Sequence, residues 1–213
     1  MKIIVLEKVG LIVIVHGILL AFGLILPLGV QNIFVFNQGV LGRRYMNAVP
    51  AAFTASVCDT LLIMASVYGV SVAVLAFDWV RYILIVAGVL FLLYVGWSVW
   101  KNSAAAERAD LRETFPAGKQ VAFAAMVSLL NPHAILDTVG VIGTSSLRYE
   151  GTERLAFALT CVAVSWVWFF SLAFAGRMAG RLDQSGRGLT LMNRASALLI
   201  WGSAAYLLYS LTD

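Results

Sequence analysis

The sequence predicts an all-α integral membrane protein: six transmembrane helices in two inverted three-helix repeats, with helices 1 and 4 interrupted. Three observations predict it. Of 213 residues, 61% are hydrophobic and 12% are charged, whereas a soluble domain carries about 25% charged residues. Mean hydropathy is +0.90. Apolar stretches recur near residues 10–37, 49–77, 80–100, 119–144, 155–176 and 189–211, each with the roughly 20 residues needed to cross hydrocarbon. Finally, prolines interrupt the first and fourth stretches at matching places. Strand-type alternation is absent, which argues against a barrel. The chain reads as one transmembrane domain over 1–213: repeat 1 at about 9–100, a cytoplasmic linker at 101–118, and repeat 2 at about 119–211.

The first span carries Lys2 and Lys8 before its apolar run. That run is too long for a signal peptide, and no small-x-small cleavage site follows. Leu26-Pro27-Leu28-Gly29 interrupts it, since proline lacks an N–H and clashes with the preceding turn. Gln31, Asn32, Asn37 and Gln38 follow. Amides after a proline in a membrane segment suggest a helix that lines something wet; the simpler alternative is hydrogen bonding between helices. His16 reads as an interfacial or internally satisfied residue rather than a ligand.

Asp59 lies deep in the second span, flanked by Thr54, Ser56 and Thr60. The third span ends in Tyr94, Trp97 and Trp100, an aromatic belt, and holds no deep charge. Residues 101–118 alternate Glu107, Asp110 and Glu113 with Arg108 and Arg112, as a solvated linker would.

The fourth span contains Leu130-Asn131-Pro132-His133-Ala134-Ile135-Leu136-Asp137-Thr138. A helix broken there frees backbone groups that only protein or a wet cavity can satisfy. Asp137 is the second deep carboxylate, and an ionisable group at that depth is costly and by default functional. The plainer alternative is a packing kink with its aspartate paired to a neighbouring helix. The fifth span holds Ser165, Trp166 and Trp168, then Gly176-Arg177-Met178-Ala179-Gly180. That last string has helix-packing spacing, but its position at the membrane edge gives it little weight. Glu107, Glu113, Glu150 and Glu153 all fall in predicted loops. Cys58 and Cys161 read as buried small hydrophobes.

The net charge of +4 is not a nucleic-acid footprint, because the basic residues sit between spans. One side holds five: Lys2, Lys8, Arg81, Arg148 and Arg154. The other holds ten: Arg43, Arg44, Lys101, Arg108, Arg112, Lys119, Arg177, Arg181, Arg187 and Arg194. This bias places the odd loops in the cytoplasm and both termini outside.

Pro27 and Pro132 are 105 positions apart, as are Asn32 and Asp137. Each half has an odd number of spans, so the second half is inverted relative to the first. Inverted repeats with interrupted helices are the pattern of secondary transporters, whose sites lie near the midplane. Asp59 plus 105 falls on Val164, next to Ser165. Two deep aspartates without a deep lysine or arginine suit a cation. The half-helices after the breaks would offer N–H groups to a carboxylate. The candidate site is therefore Asp59, Asp137, Asn32 and Asn131, with Pro27, Gly29 and Pro132 as the breaks that line it and Gln31, His133 and Ser165 in support.

Leu26-Pro27-Leu28-Gly29-Val30-Gln31-Asn32 with Asn37-Gln38-Gly39, Ser56-Val57-Cys58-Asp59, and Leu130 through Thr138 resemble the span 1, span 2 and span 4 motifs of the lysine/arginine exporter (LysE-type) family. The resemblance covers nearly the whole chain. It implies export of lysine and/or arginine across the cytoplasmic (inner) membrane, with both aspartates essential and no cofactor or metal. The His-x-x-Leu-Asp continuation after Asn131-Pro132 favours the cationic branch over exporters of neutral amino acids. Val30 departs from the family, which commonly has a second proline there. Proton antiport is the expected coupling, the lipid bilayer is the expected surroundings, and a homodimer is among the assemblies allowed. A neutral amino acid or a metal cation is the alternative cargo. A membrane-embedded enzyme is disfavoured, because neither His-Glu-x-x-His nor Gly-x-Ser-x-Gly is present.

Overall fold

A computed structural model shows where these segments pack. It describes residues 2–26, 29–42, 44–69, 115–130, 134–135 and 138–182, and positions 86, 89, 90, 93, 94, 96, 97, 100, 194, 195, 197, 198, 201, 202 and 205, with side chains from Gly10 onward except Leu182. The linker and most of the third and sixth spans therefore lie outside the described residues. So do Pro27, Asn131, Pro132, His133 and Asp137. Among the described residues every regular element is helical.

The first span is two helices, α1 (Lys2–Ile25) and α2 (Val30–Leu41). They meet at an angle of 79°. The sequence predicts this break, since proline and glycine act locally on the backbone. Helix α2, at 12 residues, is about 18 Å long and too short to cross the bilayer alone. A short 3₁₀ turn, Tyr45–Asn47, leads to α3 (Val49–Val67), which starts with Pro50 in its first turn. After Pro116 comes α4 (Ala117–Leu129). A π-helical turn at Thr138–Gly143 and a single helical turn at Thr144–Ser146 follow. The long helix α5 spans Gly151–Leu182, so Glu153 belongs to its first turn rather than to a loop.

Helices α3 and α5 are each long and apolar enough to cross a membrane, and the bent pair α1–α2 passes the same test taken together. The surface fits that setting. Leu19, Leu61, Val167 and Phe174 are exposed, while Gln31, Asn32, Ser56, Ser128 and Ser165 are buried. A water-soluble protein sorts its residues the other way. The hydroxyls of Thr54, Ser56, Thr60 and Ser66 donate back to carbonyls four residues earlier, at 2.7–2.9 Å. Such back-bonding lets a polar side chain sit in an apolar helix without a partner elsewhere.

The order of contacts along α5 decides how the broken span runs. His16 lies against Phe157, Gly17 packs on Thr160, and Phe22 meets Trp168. Further along, Asn32 bonds Trp168, Phe36 meets Gly176 and Val40 meets Gly180. Both halves thus advance along α5 in one direction, so the chain does not double back at the bend. Helix α3 runs against α5: Phe53 and Asp59 lie beside Trp166 and Ser165, while Ile63 and Val67 share a core with Phe157, Ala158 and Cys161.

The glycines at the far end of α5 carry more than the sequence suggests. A Cβ on Gly39 would collide with the Ala173 carbonyl, one on Gly176 with that of Phe36, and one on Gly180 with that of Val40. Helix α2 therefore lies backbone against backbone on α5, and the Gly-x-x-x-Gly spacing is a true packing motif here. The spacing alone does not show this, because its weight depends on which helix lies alongside.

Candidate functional site

Among the described residues, two apolar clusters form the core. One gathers Val13, Ile63, Val67, Phe157 and Cys161. The other gathers Phe34, Val35, Ala51, Ala55 and Phe169. Between them lies a polar layer built on Asp59, which stands near the middle of α3, and on Ser165, near the middle of α5. The uncharged run of α5 from 155 to 176 spans about 33 Å, close to the hydrocarbon thickness. Ser165 sits near its centre.

Both oxygens of the Asp59 carboxylate accept hydrogen bonds. Gln31 Nε2 donates to Oδ1 at 3.1 Å, and Ser165 Oγ donates to Oδ2 at 2.9 Å. Unlike the α3 hydroxyls, that of Ser165 is turned out of its own helix. Each carboxylate oxygen has two lone pairs, so both retain capacity for a further donor. Asp59 keeps partial exposure, although both its donors are buried. The next residue, Thr60, accepts the Trp166 indole N–H at 3.0 Å.

Gln31 and Asn32 lie in the first turn of α2, and Gly29, its N-cap, supplies no side-chain cap. First-turn N–H groups have no intrahelical acceptor and carry partial positive charge. The Gln31 side chain ties this first turn to Asp59. Asn32 does not face Asp59 in the same way. Its Nδ2 donates to the Ile25 carbonyl at 2.7 Å, and its Oδ1 accepts the Trp168 indole at 3.1 Å.

The structure thus brings together Gln31, Asn32, Asp59 and Ser165 from three separate stretches of sequence, with Gly29 at the edge of the break. Asp137, Asn131, Pro132, His133 and Pro27 lie outside the described residues. Trp168 is the member that the sequence does not single out. Nothing in a tryptophan within an apolar span marks it, save that a buried indole N–H needs an acceptor. His16 is satisfied, with Nδ1 2.7 Å from the Tyr149 hydroxyl. Cys58 and Cys161 are buried and unbridged. Among the described residues, no three or more His, Cys, Asp or Glu side chains gather.

Residues 10–211 match the family model described as LysE type translocator. The chain belongs to that family. Among its relatives is "Putative amino-acid transporter YisU" of Bacillus subtilis (strain 168), 54% identical over 193 residues, which cover 91% of this chain and 87% of that protein. "Arginine exporter protein ArgO" of Enterobacter sp. (strain 638) is 34% identical over 190 residues, covering 87% of this chain and 88% of that protein. The protein of that name from Escherichia coli (strain K12) is 32% identical with the same coverage. No solved structure matches the chain. In this LysE-type chain the polar layer joins the break of the first span to the centres of α3 and α5.

Proposed function

We propose that the protein is a secondary transporter that exports basic L-amino acids, arginine and/or lysine, from the cytoplasm through the inner membrane by proton antiport. The observation that carries this reading is the doubly hydrogen-bonded Asp59 between two apolar cores, beside the uncapped N-terminus of α2. A carboxylate there attracts a guanidinium or ammonium group. The first-turn N–H groups of α2 suit the α-carboxylate of the same solute. The sequence pattern adds Asp137, Asn131 and His133 to the proposed site, with Pro132 as the matching break of the fourth span. The exporters called ArgO among the relatives favour arginine as cargo.

The fold that goes with this reading is six spans in two inverted repeats. Three contacts support it. Asp59 bonds Ser165 and Thr60 bonds Trp166, each pair 106 positions apart. Gly96 packs on Trp201, 105 positions away. At the proline spacing of 105, Trp201 is the counterpart of Gly96, while Ser165 and Trp166 lie one residue past the counterparts of Asp59 and Thr60. Contacts at or next to a residue's own counterpart occur near a two-fold axis. The axis would pass through the polar layer, as it does in transporters with a midplane site. Both termini face outward in this arrangement, from the basic bias of the odd loops.

Coupling follows from electrostatics. Expelling a monovalent cation from an inside-negative cell is uphill by about 2.3 kcal/mol per 100 mV. Uniport would accumulate the solute, and exchange for an incoming proton is the simplest coupling that expels it. Protonation of Asp59 or Asp137 facing out weakens the hold on the cation and releases it; deprotonation facing in restores it. The deciding experiment is counterflow of labelled arginine and lysine in proteoliposomes, with neutral amino acids as competitors and a pH gradient of either sign. Uptake driven only by arginine or lysine, and accelerated by a proton gradient opposed to it, is the expected result. Transport of neutral amino acids with no response to arginine or lysine would overturn the reading in favour of the alternative cargo.

A further inference from the structure

Ile25 ends α1, and the break deprives its carbonyl of the N–H that a continuous helix would supply. In an apolar setting such a carbonyl needs a donor. Asn32, seven residues on, supplies it with Nδ2 at 2.7 Å. The other end of the same amide accepts the Trp168 N–H at 3.1 Å. One partner can only accept and the other only donate, which fixes the orientation of the amide. Trp168 also sets its ring at 89° to that of Phe22 on α1, with 6.2 Å between ring centres. It therefore touches both halves of the broken span, one before the bend and one after it.

These contacts close a circuit. Trp168 lies one turn beyond Ser165 on α5, and Asn32 directly follows Gln31 on α2. Gln31 and Ser165 are the two donors to Asp59. A change in the angle between α1 and α2 that breaks the Asn32–Trp168 bond also shifts Gln31 relative to Asp59.

We infer that Trp168 is a positioning residue for translocation: through Asn32 it latches the bend of the first span in the geometry that lets Gln31 and Ser165 hold Asp59 ready for the cation. The inference rests on the exporter reading above for its kinetic consequence, but not for its structural one.

The test compares Trp168→Phe, which keeps the ring against Phe22 and deletes the N–H, with Trp166→Phe, which deletes the bond to Thr60 away from the bend. Two measurements are made on full-length protein in lipid: the KM and maximal rate of arginine counterflow, and substrate-free hydrogen exchange of the amides at 29–33. For Trp168→Phe, KM rises about two- to ten-fold, the scale of one hydrogen bond, while the maximal rate per folded molecule stays within about two-fold. Exchange at 29–33 quickens in Trp168→Phe and not in Trp166→Phe. Unchanged KM and exchange in Trp168→Phe, or equal effects in Trp166→Phe, would overturn the latch. So would a loss of folded protein with wild-type KM and exchange in what remains. If the wild type moves neither arginine nor lysine, the cargo assignment fails, and the exchange comparison still decides the latch.

Discussion

Ser165 donates its hydroxyl to Asp59 across 2.9 Å and so ties the centre of α5 to the centre of α3. The two residues are 106 positions apart. Neither has an apolar substitute that keeps the bond, since a carboxylate in this layer needs donors and a buried hydroxyl needs an acceptor. Removing the serine hydroxyl leaves one oxygen of a charged group short of a partner, at a cost of about 1.5–3 kcal/mol. Ser165→Ala is therefore expected to weaken arginine binding by roughly an order of magnitude or more, with Ser165→Thr retaining most of it. Equilibrium binding to purified protein checks this, and equal affinity in the alanine variant would detach Ser165 from the site.

Asp59→Asn keeps the shape of the side chain and can still accept from one donor, but loses the charge. We expect it to abolish net export while the protein still inserts and folds. Asp137→Asn is expected to do the same, from the matching half. Net efflux from loaded proteoliposomes, normalised to folded protein, is the measurement. Efflux in both variants at the wild-type rate would rule out the aspartates as carriers of cation and proton.

The pH dependence follows from competition between a proton and a cationic solute for one carboxylate. On the proposed mechanism the ionised form would hold the cation and the protonated form would not, so affinity is expected at high pH and is expected to be lost as pH falls. Arginine binding measured over about pH 4 to 8, upward from the ordinary carboxylate range, is expected to fall toward the acid end. A flat profile, with asparagine variants that still pump, would remove the shared-site mechanism.

Glycines separate folding from function. Among the described residues, nothing lies within 4 Å of a Cβ placed on Gly29, and its backbone is extended. Gly29→Leu should fold, yet lower transport by filling space at the break; Pro132→Ala is expected to lower transport likewise by letting the fourth span straighten. Gly176→Leu drives a side chain into the Phe36 carbonyl and should sharply reduce folded protein. Size-exclusion of detergent-extracted protein beside the transport assay distinguishes the two. Loss of folded protein and of transport in equal measure for Gly29→Leu would make the break purely structural.

Orientation has its own check. Reporter fusions at Asp213 are expected to be active only outside the cytoplasm, from the ten-to-five bias of basic residues. Cytoplasmic activity would invert the topology.

What the sequence by itself determined is local in origin. Hydropathy and scarce charge specify a membrane chain because each residue's transfer free energy is its own. The break at Pro27 and Gly29 is written in backbone chemistry, and the observed helix ends at Ile25 and Val30 respect it. Asp59 stood out because a carboxylate in an apolar span is rare, and the family followed from motifs that lie along the chain. Only the tertiary structure decided which side chains meet. Consecutive residues of a helix point about 100° apart, so which of Gln31 and Asn32 bonds Asp59 depends on how α2 is rotated. Gln31 does, and Asn32 turns back to the Ile25 carbonyl. The weight of Gly176 and Gly180, and the part played by Trp168, depend on the helix that happens to lie alongside. A residue's neighbours across 100 or more positions are set by packing of whole helix faces, and no local pattern records them.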